Sequence, residues 1–118
     1  MKASQSEELE NRFLTFGVNV IRLTQKLKAQ LPFSVIDQVV RSSTSIGANY
    51  SEAQNASSRA DFKNKIFISK KEASETRYWL RIITELTSKT DTELQLTEIQ
   101  EILLILQKIV NTLREKKV

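Results

Sequence analysis

The sequence contains no histidine and no cysteine, and its 118 residues include only two glycines and one proline. Each shortage excludes something. Without histidine there is no imidazole to serve as a general base near neutral pH or to bind a transition metal. Small helical ribonucleases that rely on an Arg and a His in one short motif are excluded on that ground. So are bundle sites in which Glu-x-x-His pairs hold two metal ions. Without cysteine there is neither a disulfide framework nor thiolate chemistry, which fits a reducing compartment. Few glycines and prolines mean few turns, which argues for a small number of long helices rather than a β-rich fold. The opening residues, Met1-Lys2-Ala3-Ser4-Gln5-Ser6-Glu7-Glu8, carry no apolar signal core. No run approaches the ~20 apolar residues that a membrane span needs. The expectation is a cytoplasmic protein with no membrane contact, no cofactor and no metal.

What is present is helical periodicity. Phe13, Phe16, Val20, Leu23 and Leu27 are spaced 3, 4, 3 and 4, the seam of a packed helix. Pro32 ends that helix, because proline disfavours α geometry in the residue before it. Ser34 then reads as an N-cap with Asp37 in the first turn. A second seam runs through Ile36, Val39, Ser43, Ile46, Tyr50 and Ala53, with small residues at its middle: Ser42, Ser43, Ser45, Gly47 and Ala48. Ser and Gly are mediocre to poor helix formers, so packing must hold this helix, and the small residues admit a close neighbour. Ser58 caps the third helix, with Asp61 completing a capping box. Its core positions, Phe62, Ile66, Ser69, Ala73, Thr76, Leu80 and Ile83, again have a small middle. Ser88 to Leu96 reads as a polar connection, and Thr97 with Gln100 as the capping box of the fourth helix, which carries Ile99, Ile102, Leu103, Leu106, Ile109, Val110 and Leu113. The predicted helices cover about 7–30, 35–55, 59–87 and 98–115. They make one domain over 1–118, since two cores of half that size would not hold. The fold class is all-α, an up-down-up-down antiparallel four-helix bundle of left-handed twist.

Two runs carry a resemblance: Ser42 to Ala53, and Lys71 to Arg81. They are similar to the four-helix-bundle proteins encoded in intervening sequences of bacterial 23S ribosomal RNA genes. That family's pattern has a Ser-Ser-x-Ser-Ile run, then Asn-x-x-Glu-Gly, a capping Ser, an acidic-Phe pair and a deeper Glu. The matches here are Ser42, Ser43, Ser45, Ile46, Asn49 and Glu52, then Ser58, Asp61 and Phe62, then Glu75. The family's Gly is Ala53 here, and its usual corner cations are replaced by Ala56 and Ser57, with Arg59 nearby. The resemblance implies a bundle without known catalysis, commonly a ring of five subunits. A related protein, the accessory variability protein of diversity-generating retroelements, uses a basic ring to hold nucleic acid and a reverse transcriptase. The present chain looks closer to the stand-alone members.

Charge adds an independent feature. The net charge is +4, and Arg59, Lys63, Lys70, Arg77 and Arg81 are spaced 4, 7, 7 and 4. At 100° per residue they fall within a ~40° arc of the third helix, beside the seam of Phe62, Ile66 and Ala73. Such a ridge suits phosphates without reading sequence; the other reading is a solvated face, or one salt-bridged to a neighbouring subunit. No aromatic side chains interleave with these cations, which gives no indication of base stacking. Ile68 and Trp79 on the third helix, and Leu104 and Ile105 on the fourth, widen the apolar arcs beyond one bundle face. They are candidates for a subunit interface. Glu52 and Glu75 read as structural carboxylates, pairing with Arg41, Arg77 or a backbone amide, and Tyr50, Tyr78 and Trp79 as packing or interface aromatics. Two functions follow. One is a non-enzymatic homo-oligomer that holds RNA or DNA on the ridge. The other is a protein–protein module that binds no nucleic acid.

Overall fold

The computed structural model describes residues 3–115, which form four α-helices with no strand among them. Helix α1 spans Gln5–Lys26 and is capped by Ser4, whose hydroxyl accepts from the Glu7 amide at 3.1 Å. A 3-10 turn over Lys28–Gln30 buries Leu27 and Leu31 at its two ends and leads to α2, Phe33–Gln54. Helix α3 spans Arg59–Leu86 and α4 spans Lys89–Glu115. Each helix packs against its sequence neighbour, and α4 returns to α1. Residue numbers rise on one helix as they fall on the next. Ser69 and Thr76 of α3 meet Ile46 and Ser42 of α2, and Arg77 and Thr84 of α3 meet Gln100 and Thr92 of α4. The bundle is therefore up-down-up-down, as the sequence predicts.

The expected seams form the core. Val20, Val39, Ile46, Ile66, Leu80, Ile83, Ile99, Ile102, Leu106 and Val110 are fully buried, and burying one such side chain is worth about 1.5–3 kcal/mol. The small residues of α2 serve two neighbours. Ser42 faces α3, where the Thr76 hydroxyl lies 2.9 Å from its own and 2.8 Å from the Glu72 carbonyl. Ser69 of α3 donates to the Ile46 carbonyl at 2.8 Å. Gly47 faces α1 instead: a Cβ there would sit 3.3 Å from Phe13 Cβ, tighter than side chains normally approach. Among the described residues no buried side-chain nitrogen or oxygen lacks a partner.

Two helix starts differ from the sequence reading. Helix α2 begins at Phe33, with Pro32 in the cap position accepting from the Val35 and Ile36 amides through its carbonyl. Ser34 is thus inside the helix and makes no cap, and Asp37 lies beyond the first turn. Helix α4 begins at Lys89, ahead of the predicted start after Thr97, because Ser88 is the cap: its hydroxyl accepts from the Asp91 amide at 3.2 Å and donates to the Asp91 carboxylate at 2.9 Å. The polar stretch hides a seam residue, Thr92, which is fully buried with its hydroxyl 2.6 Å from that of Thr84. Thr97 is exposed on the helix.

An ion-pair clamp joins α2 to α3. Arg41 Nη1 donates to Glu72 Oε2 at 2.7 Å and Nη2 donates to Glu75 Oε2, which also accepts from Trp79 Nε1 at 3.0 Å. The Trp79 hydrogen bond, and then that of Arg41, hold the Glu75 carboxyl below the ordinary glutamate value. The bond to Glu75 in turn raises the pKa of Arg41.

Two outcomes follow. Ser88→Ala is expected to cost about 1 kcal/mol of stability, with Thr97→Ala near neutral in parallel urea melts; the reverse ranking would return the helix start to Thr97. Because the folded Glu75 carboxyl is depressed, its contribution is complete above the unfolded value and lost as pH falls through the folded one. Glu75→Gln should therefore flatten the acid limb of the stability curve below about pH 4. An unchanged limb would mean that other carboxylates carry it.

Candidate nucleic-acid interface

Arg59, Lys63, Lys70, Arg77 and Arg81 project from the flank of α3 that faces α4. The register is fixed by Arg77 Nη1, which donates to Gln100 Oε1 at 3.5 Å, and by the Thr84–Thr92 contact one helical stretch further on. The row covers about 33 Å at 1.5 Å rise per residue. Its two end residues are exposed and its middle three half-buried along their stems, the usual posture of long cationic side chains whose heads reach water.

Of the α3 carboxylates, Asp61, Glu72 and Glu75 lie on the other flank, and Glu85 falls past the last ridge cation. Glu72, only 8% exposed, and Glu75 turn to Arg41 on the α2 side. Glu52 of α2 accepts from Lys65 at 3.1 Å. The acidic residues Glu98 and Glu101 of α4 turn to α1: Arg12 Nε and Nη2 donate to the two oxygens of Glu98, both at 2.8 Å, and Nη2 reaches Glu101 at 3.1 Å. The Glu98 hydrogen bond leads in raising the pKa of Arg12. The cations that form ion pairs among the described residues are thus Arg12, Arg41 and Lys65, and none of the five ridge cations is among them.

Sequence reasoning missed the second rail of this surface. Gln100, Gln107 and Arg114 recur every seven residues on α4. The α3–α4 register brings Gln107 level with Lys70, and Arg114 level with Lys63. The seven-residue spacing shared with Lys63, Lys70 and Arg77 was the available signal. The structure also alters the reading of the aromatics. Phe67 and Tyr78 are 40% and 57% exposed. They lie about 60–80° outward of the cations on the same helix, one between Lys63 and Lys70 and the other between Arg77 and Arg81. The line of the cations itself carries no aromatic; these two rings form a second line beside it.

The other singled-out residues fall into place as follows. Ser43 is buried, Asn49 Nδ2 donates to the Ser45 carbonyl at 2.9 Å, and Phe62 packs half-buried on the core. Ser58 accepts from the Asp61 amide at 3.1 Å, as predicted, while the Asp61 carboxylate reaches back one residue further, accepting from the Ser57 amide at 3.2 Å. Glu52 and Glu75 are each held by a basic partner, in separate ion pairs. Tyr50 is buried edge-to-face against Phe13, their centroids 5.1 Å apart. Ile68 and Trp79 share one line of α3 on the side toward α2. Leu104 is 72% exposed, whereas Ile105 packs on the core beside Leu9 and Ile109. The two pairs are not brought into one patch. Among the described residues no helix is long and apolar enough to cross a membrane, and no three acidic side chains are grouped to hold a metal.

The comparisons agree with this architecture. Residues 8–112 match the family model described as 23S rRNA-intervening sequence protein. No curated protein matches the chain. A crystal structure of a protein with unknown function, from the S23 ribosomal protein family of Bacteroides thetaiotaomicron, superposes with a TM-score of 0.80 at 38% sequence identity. The match covers 86% of this chain and 96% of the other. With the bundle, the capped corner at Ser58 and the small-residue seam all in place, the chain belongs to the family of 23S rRNA-intervening sequence proteins.

Proposed function

We propose that this chain is a non-enzymatic homo-oligomer, a ring of five subunits, that holds RNA or DNA through the ridge on α3 without reading sequence. One observation carries the reading: the five ridge cations lack a carboxylate partner among the described residues, while Glu72, Glu75, Glu98 and Glu101 pair with Arg41 and Arg12 on other helices. An uncompensated row of cations on one face attracts a polyanion, and repetition around a ring multiplies the field. The oligomer part rests on different residues. A ring needs two unlike patches that meet head to tail, and the Ile68–Trp79 line on α3 and Leu104 on α4 supply two separate apolar positions.

The test measures binding of a labelled RNA oligonucleotide by anisotropy across a salt series, with light scattering on the same samples. Five phosphate contacts predict that the logarithm of affinity falls against that of salt with a slope of about −3.5 to −4.5 per subunit. Lys70→Glu with Arg77→Glu should abolish binding while helicity and particle mass stay unchanged. A double variant that binds as well as the parent sinks the nucleic-acid reading. One that folds but falls apart assigns the ridge to a subunit contact, and with it the role of a protein–protein module.

A further inference from the structure

We infer that the nucleic acid taken by this surface is single-stranded, with Phe67 and Tyr78 as the platforms on which its bases stack. The inference rests on the ridge reading above and adds the form of the ligand. Duplex and single strand present the same phosphates, so cations alone do not separate them. Base faces do: in a duplex they are covered by stacking, whereas in a single strand they can be laid on aromatic rings.

The outer half of α3 has the two components such a ligand requires. The cations form one line, and Phe67 and Tyr78 form a second, parallel to it and displaced outward by about 60–80°. Phe67 and Tyr78 are 11 residues apart, which places them about 16 Å apart along the helix and within ~20° of one another. The surface between them is open and lightly built: Lys71 and Ser74 are both exposed. The α3 acids inside the ridge's length, Asp61, Glu72 and Glu75, lie on the opposite flank. Glu85, four residues past Arg81, marks the end of the track.

The Tyr78 ring is also oriented. Trp79 meets it edge-on, with centroids 5.5 Å apart and planes at 72°. The Trp79 indole is fixed in turn by its hydrogen bond to Glu75, which the Arg41 clamp holds. A ring held in place loses less freedom when a base stacks on it. Both rings are outside the buried core, and both sit beside cations that form no ion pair among the described residues.

The experiment compares the full chain's affinity for a labelled single-stranded RNA long enough to span the ridge, the same sequence as single-stranded DNA, and the RNA annealed to its complement. The parent should bind either single strand more tightly than the duplex. Phe67→Ala with Tyr78→Ala should weaken single-strand binding at least tenfold, given the usual worth of a stacked base, and change duplex binding less than twofold. Phe67→Leu with Tyr78→Leu keeps apolar bulk and helix propensity but removes the planar faces, and should show the same loss with an unchanged melting temperature. Emission from Trp79, the chain's one tryptophan, should change when single strand is added to the parent. Equal or tighter duplex binding by the parent, or full single-strand affinity in the leucine variant, overturns the inference. If either occurs while Lys70→Glu with Arg77→Glu still abolishes binding, the ridge reading survives and only the stacking platform falls. If the parent binds none of the three probes, both fall.

Discussion

The close approach of α2 and α3 is the constraint on which the rest of the bundle depends. These two helices share the largest interface in the chain, and it is built from residues with almost no side chain to spare: Ser42 against Thr76, and Ser69 against the backbone carbonyl of Ile46. Serine is a weak helix former, so the Ser- and Gly-rich middle of α2 owes its helix to packing rather than to propensity. Hydroxyls that bond across the seam remove the cost of burying polar groups there, and they leave room for Ile46, Ile66 and Ala73 to fill the interior. Just outside this seam Arg41 clamps Glu72 and Glu75. A larger residue at position 42 or 69 would separate the helices and strand a buried carboxylate at the same time.

That clamp also decides where the charge of α3 ends up. Asp61, Glu72 and Glu75 fall on the flank toward α2, and Arg59, Lys63, Lys70, Arg77 and Arg81 fall on the flank toward α4. Helix α4 adds to the separation by sending Glu98 and Glu101 to Arg12, and Gln100, Gln107 and Arg114 stand level with Arg77, Lys70 and Lys63. In a chain of modest net charge, +4, five cations thereby share one face without a paired carboxylate among the described residues. The sorting is a consequence of helical register: residues seven apart return to within ~20° of one another, and both helices use that interval.

Much of this was legible before the structure. The 3-4 spacing of Phe13 to Leu27, and of Ile99 to Val110, set the inward faces of α1 and α4, and the Ser58–Asp61 box set the start of α3. The start of α4 was misread because its seam enters through Thr92, a polar residue, while Thr97 and Gln100 imitate a cap inside the helix. Ser34 was misread because Pro32 can close the first turn with its carbonyl alone. Within the site, the spacing of the five cations gave the ridge. The burial of Glu72 depends on Arg41 arriving from another helix, and the exposure of Phe67 and Tyr78 depends on which side of α3 is left uncovered. Neither quantity is local in sequence.

Of the four contacts between adjacent helices, that between α1 and α4 is the smallest, and Arg12 with Glu98 and Glu101 bridges it from a half-exposed position. Ion pairs of that kind contribute roughly 0–1 kcal/mol and weaken with salt. Proteins open first where burial is least, by fluctuations cheaper than global unfolding. The α1–α4 edge is therefore where the bundle is expected to open first, with α1 held to α2 by the close approach of Gly47 and Phe13. The cationic ridge lies along the opposite edge of α4, away from that seam.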